Sequence, residues 1–302
     1  MSVLGPSLRV AAVDLGATSG RVMSGRVTPG RVEVDERHRF PNGAVRVGQS
    51  YFWDVLGIHR EVLAGVREVV RTGPLHGVGI DSWAIDYGLL DRDGQLLGNP
   101  FSHRDPRTDG VAARVVEEVG AAELYGTTGI QQLPFNTIYQ LHAARGTAAL
   151  EAAEHLLLLP DLLGYWLTGS IGAERTNAST TQLYDVRTGE WAVDLARRLG
   201  LPWGILPPLR DPGAVVGPLL PARRPGGRGR TARCRWWPSD PTTPPRRSSP
   251  CRPSRRRSPT SPPAPGRWSG SSSTSRCSAR PPGWRTSPTS SASTAPSGSS
   301  RT

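Results

Sequence analysis

Residues 10–27 read VAAVDLGATSGRVMSGRV. An apolar run, 10–13, ends on Asp14; Gly16 and Gly20 bracket small and hydroxyl residues; and from Arg21 the chain resumes with a rough alternation, the period of a half-buried strand. Residues 31–40 alternate as well, with Pro29-Gly30 as the turn before them, so 8–40 is expected to form a β-meander. The period then changes. Over 54–71 the residues Val55, Ile58, Val62, Val66, Val69 and Val70 keep three-to-four spacing behind Asp54, which predicts a capped amphipathic helix. A buried strand is expected over 77–80 and a hairpin over 87–97, turned at Asp91-Arg92-Asp93-Gly94. Farther on, helices are expected over 110–119, 137–145, 149–159, 161–167 and 191–199. This order of elements predicts an α/β domain occupying residues 1–220.

The remaining segment, 221–302, is of another kind. It contains no Leu, Ile, Val, Met, Phe or Tyr, and it carries 17 Arg against a single acid, Asp240, a net of +16. The whole chain is +12, so the first 220 residues carry 12 − 16 = −4. A chain without aliphatic side chains cannot bury enough apolar surface to offset an ordering cost of about 1–2 kcal/mol per residue, and 221–302 is expected to be a disordered Arg/Pro/Ser-rich tail. Cys234, Cys251 and Cys277 all lie in it, with neither zinc spacing nor a disulfide framework. No signal peptide and no apolar run of membrane-spanning length is visible, so a cytoplasmic location is expected.

No lysine occurs among the 37 basic residues, as expected of a very GC-rich gene. Read out of frame, such a gene yields Arg, Pro, Ser, Thr, Gly and Trp, the residues of the tail. Residues 236–249, WWPSDPTTPPRRSS, can be encoded so that the frame starting one base earlier reads VVAVGSHDTASAVV. Residues 259–268, PTSPPAPGRW, can be encoded so that the same offset reads AYISSGTWSL. Two globular-looking stretches in one frame point to a frame change between about residues 218 and 235.

Three segments of the domain carry chemistry-bearing residues. Asp14-Leu15-Gly16-Ala17-Thr18-Ser19-Gly20-Arg21 follows a buried strand; its backbone N–H groups could approach a phosphate and Asp14 could hold a hydrated metal ion, or the loop could be a plain hairpin turn. It lacks the Lys of a Walker A loop. Asp81-Ser82-Trp83-Ala84-Ile85-Asp86 places acids, a hydroxyl and an aromatic ring together, as a sugar site does, although Trp83 could equally be core and the acids turn caps. Ser102-His103-Arg104-Asp105 could aim Arg104 and Asp105 at ligand hydroxyls or form a solvated loop with local ion pairs.

Taken in order, VDLGATSGRV, GIDSWAIDYGLLDRDG, HRDPRTDG, Thr128-Gly129-Ile130-Gln131 followed by LPFNTIYQL, LLLLPDLLGYWLTG and ERTNASTTQL resemble the FGGY carbohydrate kinases, and within them the rhamnulokinase group. These stretches cover most of residues 9–217, and the decoded SHDTASAVV and AYISSGTWSL resemble what that family has next. The resemblance implies an actin-like, hexokinase-like lobe built on an RNase H-like unit. It further implies ATP and Mg2+ as cofactors, and transfer of the γ-phosphoryl group to L-rhamnulose, giving L-rhamnulose 1-phosphate. Under it, Ala17, Thr18, Ser19, Gly20 and Arg21 would contact the ATP phosphates, Asp14 would serve the metal, and Trp83, Ala84 and Asp86 would meet the sugar, with Arg104 and Asp105 as further substrate candidates. Family members commonly have Gly at the position of Ala84. The family's catalytic base, the Asp of an HDT motif, is lost from this polypeptide, since Asp240 is encoded upstream of the hidden aspartate codon. The chain is therefore expected to be truncated and inactive. Two alternatives stay open: another FGGY kinase, for L-fuculose or D-xylulose, and a basic tail that binds nucleic acid through its arginines, with Trp236, Trp237, Trp268 and Trp284 for stacking.

Overall fold

A computed structural model describes residues 7–221. Apart from Pro221, the segment expected to form the tail, with its three cysteines, lies outside the described residues. Strands β1 (Leu8–Leu15), β2 (Ser19–Thr28) and β3 (Arg31–Pro41) form the expected antiparallel meander, and Gly30 takes the left-handed φ of +76° that the β2–β3 turn requires. A short hairpin, β4 (Ala44–Val47) and β5 (Ser50–Trp53), leads into helix α1 (Val55–Arg71). Asp54 caps α1, its carboxylate accepting from Gly57 N–H at 3.0 Å. The chain returns as β6 (Gly77–Ser82), parallel to β1, and the sheet order is β3-β2-β1-β6. Val55, Ile58, Val62, Val66 and Val69 bury the apolar stripe of α1 in a core shared with Ala11, Val13 and Val22 of the sheet.

β7 (Tyr87–Leu90) begins the expected hairpin, which turns at Asp91–Gly94: Asp91 N–H donates to Gln95 O and Leu97 N–H to Leu89 O, each at 2.9 Å, and Leu90 bridges to Leu96. One expectation is corrected: β7 also pairs with β8 (His155–Leu158), which occupies the end of the helix expected over 149–159. Between them lie α2 (Val111–Val119), α3 (Ala121–Thr128), α4 (Thr137–Ala144) and the single-turn α5 (Ala148–Glu151). The unbroken run Leu156–Leu159 has no period, so it fits strand and helix alike. The tertiary structure decides for a strand because both of its faces are covered. Leu157 belongs to the α1 core, whereas Leu156 and Leu158 point into a second core with Val115, Leu124, Ile138, Leu141 and Leu199.

α6 (Leu159–Thr168) begins two residues before its expected start, with Pro160 in its first turn, where no N–H is needed, and Gly169 closes it. β9 (Ala173–Glu174) and α7 (Arg175–Ser179) follow, then the pair β10 (Tyr184–Asp185) and β11 (Glu190–Trp191), helix α8 (Val193–Arg198), and β12 (Leu209–Arg210), which pairs parallel with β9. The helix expected over 191–199 starts late because Trp191 is taken up by β11. No helix among the described residues is long and apolar enough to cross a membrane.

Candidate functional site

The turn between β1 and β2 is held from both sides. Gly16 N–H donates to Ser19 O at 2.9 Å, Asn42 N–H donates to Thr18 O at 3.0 Å, and the Asn42 side-chain amide donates to Gly16 O at 2.6 Å. With those groups occupied, the Ala17 and Thr18 amides have no backbone acceptor among the described residues, and Thr18 is exposed. Gly20 plays a packing part: a Cβ there would enter the ring of buried Phe40. Asp14 forms an ion pair with Arg21 across the β1–β2 ladder and lies beside Asp81 in the parallel register of β1 and β6. Two carboxylates thus stand at neighbouring strand ends next to free amides. Mg2+ keeps several waters and takes one or two carboxylates along with phosphate oxygens, so this donor set fits a phosphate-bridged ion. Among the described residues no group of three or more His, Cys, Asp or Glu forms an all-protein metal cage.

The β6–β7 connection sends its residues in two directions. Ser82 and Ala84 face a cavity, whereas Trp83 packs against Trp53 with ring centroids 4.2 Å apart and planes tilted by 37°. Asp86 is fully buried. Its Oδ2 lies 2.7 Å from Trp53 Nε1, 2.9 Å from Trp83 Nε1 and 2.8 Å from His103 Nδ1, and Gln140 Nε2 donates to Oδ1 at 3.0 Å. Four protein donors on one carboxyl group make Asp86 the hub of a polar network rather than an open ligand contact. Ile85, just before it, holds an unusual φ of +71°, and its carbonyl accepts from Thr137 Oγ1 at 2.7 Å.

The remaining motifs meet in the same network. Arg107 donates to Gln140 Oε1 at 3.0 Å, and Asn136 Nδ2 donates to Gln182 Oε1 at 3.1 Å and to Gln131 O at 2.9 Å. Asp105 is buried, accepting from Tyr51 N–H at 2.7 Å and from Arg107 N–H at 2.9 Å, where it caps the short 3-10 turn Pro106–Thr108. Arg104 is exposed. His103, just before Arg104, is the side chain that ties this loop to Asp86, with Phe135 edge-on at 6.0 Å.

Beside the strand ends opens a cavity of about 340 Å³, bounded by β6, α6, α7 and the segment around β12. Asp81, Ser82, Asp161, Glu174, Asn177 and Arg210 line its polar side, with Ala84 beside Ser82. Three of these side chains bury a polar atom that meets no protein partner: Ser82 Oγ, Asp161 Oδ2 and Asn177 Nδ2. Burial pushes the Asp161 carboxyl up to about 7, against a hydrogen bond from the Glu174 backbone. Sequence reasoning assigned no role to Asp161 or Asn177. One signal was available, an isolated acid within the apolar run LLLLPDLLG.

Residues 10–224 match the model of the N-terminal domain of the FGGY family of carbohydrate kinases. A rhamnulokinase of Pectobacterium carotovorum subsp. carotovorum (strain PC1) is 44% identical over 213 residues, covering 69% of this chain and 43% of the relative. One of Oceanobacillus iheyensis is 40% identical over 214 residues, covering 70% of this chain and 45% of the relative. The chain thus spans less than half the length of these curated relatives. Among solved structures, a gluconate kinase from Lactobacillus acidophilus superposes with a TM-score of 0.64 at 18% identity, covering 71% of this chain and 44% of that one. A xylulose kinase from Rhodospirillum rubrum gives 0.62 at 20% identity, with 70% and 45% covered. At such identities the likeness speaks for the fold, an α/β lobe of the actin-like kind. Family match, relatives and fold agree over the same residues: the chain belongs to the FGGY family of carbohydrate kinases.

Proposed function

We propose that the gene descends from a rhamnulokinase, a cytoplasmic enzyme that transfers the γ-phosphoryl group of ATP to the 1-hydroxyl of L-rhamnulose, and that this polypeptide retains the first lobe without that activity. The observation that carries the kinase reading is the arrangement at the ends of β1 and β6: open amides at Ala17 and Thr18, carboxylates at Asp14 and Asp81, and a polar-walled cavity alongside. In this reading the 17–21 loop binds ATP phosphates, and Asp14 with Asp81 holds Mg2+, which when bound neutralises charge on the phosphate oxygens. The sugar occupies the cavity against Ser82 and Ala84. Asp86 and Asp105 act at one remove: Asp86 orients Trp83 and His103, and Asp105 holds the loop that presents Arg104.

Transfer forms a bond from the sugar oxygen to the γ-phosphorus while the bridging β–γ bond to ADP breaks, and the hydroxyl proton needs a carboxylate to receive it. In the family that carboxylate belongs to the HDT motif, which this chain has only as an alternative reading of its bases. In this reading inactivity follows from the loss of that carboxylate. The test compares the 302-residue chain with the product of a frame-restored gene, measuring ADP release with L-rhamnulose, L-fuculose and D-xylulose. Activity in the restored protein alone, greatest with L-rhamnulose, is expected. A kinase rate from the 302-residue chain would refute the loss of activity, and a preference for another ketose would change the substrate.

A further inference from the structure

The chain passes from β6 to β7 through a tight turn that isoleucine does not favour. Asp86 N–H donates to Ala84 O at 2.9 Å, and Ile85 between them holds φ +71°. A γ-turn whose central φ is positive is rare and strained, and a β-branched residue is the least suited to it, because its branched Cβ crowds the backbone there. Such a conformation persists only where surrounding groups over-determine it. Here those groups come from α4. Thr137 Oγ1 donates to Ile85 O at 2.7 Å, and Gln140 Nε2 lies 3.3 Å from the same carbonyl and 3.0 Å from Asp86 Oδ1. Both side chains are buried, and Arg107, donating to Gln140 Oε1 at 3.0 Å, fixes which end of that amide meets the turn.

The clamp leaves two donors over. The Ala84 and Ile85 N–H groups have no protein acceptor among the described residues, both residues are half-buried, and Ala84 lines the cavity at the end of β6. Resting on the sugar-kinase reading above, we propose that Thr137 and Gln140 are positioning residues for the sugar: they hold the Ala84–Ile85–Asp86 turn in its strained form, in which the Ala84 and Ile85 amides donate to sugar oxygens. The φ of Ile85 sets the plane of the peptide that carries its own N–H and the Ala84 carbonyl. Relaxation to negative φ breaks the Asp86-to-Ala84 bond and turns the Ile85 donor away. Backbone amides fixed in this way select hydroxyl or carbonyl oxygens, the groups that a polyhydroxylated ketose offers.

Thr137 is the residue to test, since its hydroxyl donates to the Ile85 carbonyl, whereas Gln140 also serves Asp86. L-rhamnulose is titrated by calorimetry into the 302-residue chain and into Thr137→Val, Thr137→Ser, Ile85→Gly and the Thr137→Val/Ile85→Gly pair, with thermal unfolding of each. Thr137→Val keeps the shape and removes the donor, and its affinity is expected to fall about tenfold; Thr137→Ser, which keeps the hydroxyl, should stay within about twofold of wild type. Glycine takes positive φ without strain, so in the Ile85→Gly background Thr137→Val is expected to lower affinity by less than about threefold. A merely structural role would lower the unfolding temperature and leave the affinity of the folded protein unmoved. Affinity unchanged by Thr137→Val, or a loss as large in the Ile85→Gly background as in the wild type, overturns the inference and leaves the sugar site standing. If Thr137→Val does not fold, isoleucine-selective amide NMR of the wild type decides: the Ile85 amide is expected to shift on adding L-rhamnulose, and an unmoved Ile85 resonance overturns the inference. Absence of binding by folded wild type to L-rhamnulose, L-fuculose and D-xylulose overturns the sugar site and the inference together.

Discussion

Asp86 concentrates more of the fold on one side chain than any other acid of the described residues. Replacing it with Ala leaves two indole N–H groups, one His ring and one Gln amide facing a buried gap, and a loss of about 3 kcal/mol or more is expected in urea unfolding. Gly20 makes a different demand. Gly20→Ala drives a methyl group into the Phe40 ring and is expected to cost about 1–3 kcal/mol, part of which a second change, Phe40→Leu, should restore. Asp161 links stability to pH. Its pKa rises from 3.8 to about 7 on folding, so the folded state keeps a proton that the unfolded chain releases in between. The group's contribution is therefore complete at low pH and declines as pH climbs toward 7. Asp161→Asn removes this slope, and its stability relative to wild type should be greater at pH 8 than at pH 5.

The elements that sequence reads well are those whose pattern is local. Helix α1 carries its cap, period and end within 18 residues, and Asp54→Ala should lower stability by about 1 kcal/mol through loss of the bond to Gly57 N–H. Strands β1 to β3 are legible for the same reason, since alternation and the Pro29-Gly30 turn lie within the meander. β8 is the counterexample. Four successive leucines satisfy both helix and strand, and the choice rests on β7, 65 residues earlier in sequence from Leu90 to His155. Pairing across such a distance leaves no periodic trace in either partner. The late start of α8 has the same origin, because Trp191 answers to Tyr184 in β10 before the helix can form.

At the scale of the whole molecule, the chain matches its family only as far as residue 224, close to where its composition changes. Nucleotide sequence across codons 210–240 tests this directly: an alternative frame that continues the fold is expected, and its absence would remove the account of the tail. The chain's motifs, the α/β class, the phosphate-loop candidates and this seam in composition were determined by sequence alone, since each is written in adjacent residues. Tertiary structure alone decided what those residues face. It turned Asp86 and Asp105 inward, where Trp, His, Gln and backbone donors surround them, and gathered Ser82, Asp161 and Asn177 around one cavity. The reason is physical: whether a carboxylate meets a ligand or a protein donor depends on groups that folding brings from elsewhere in the chain, and no spacing of neighbours encodes it.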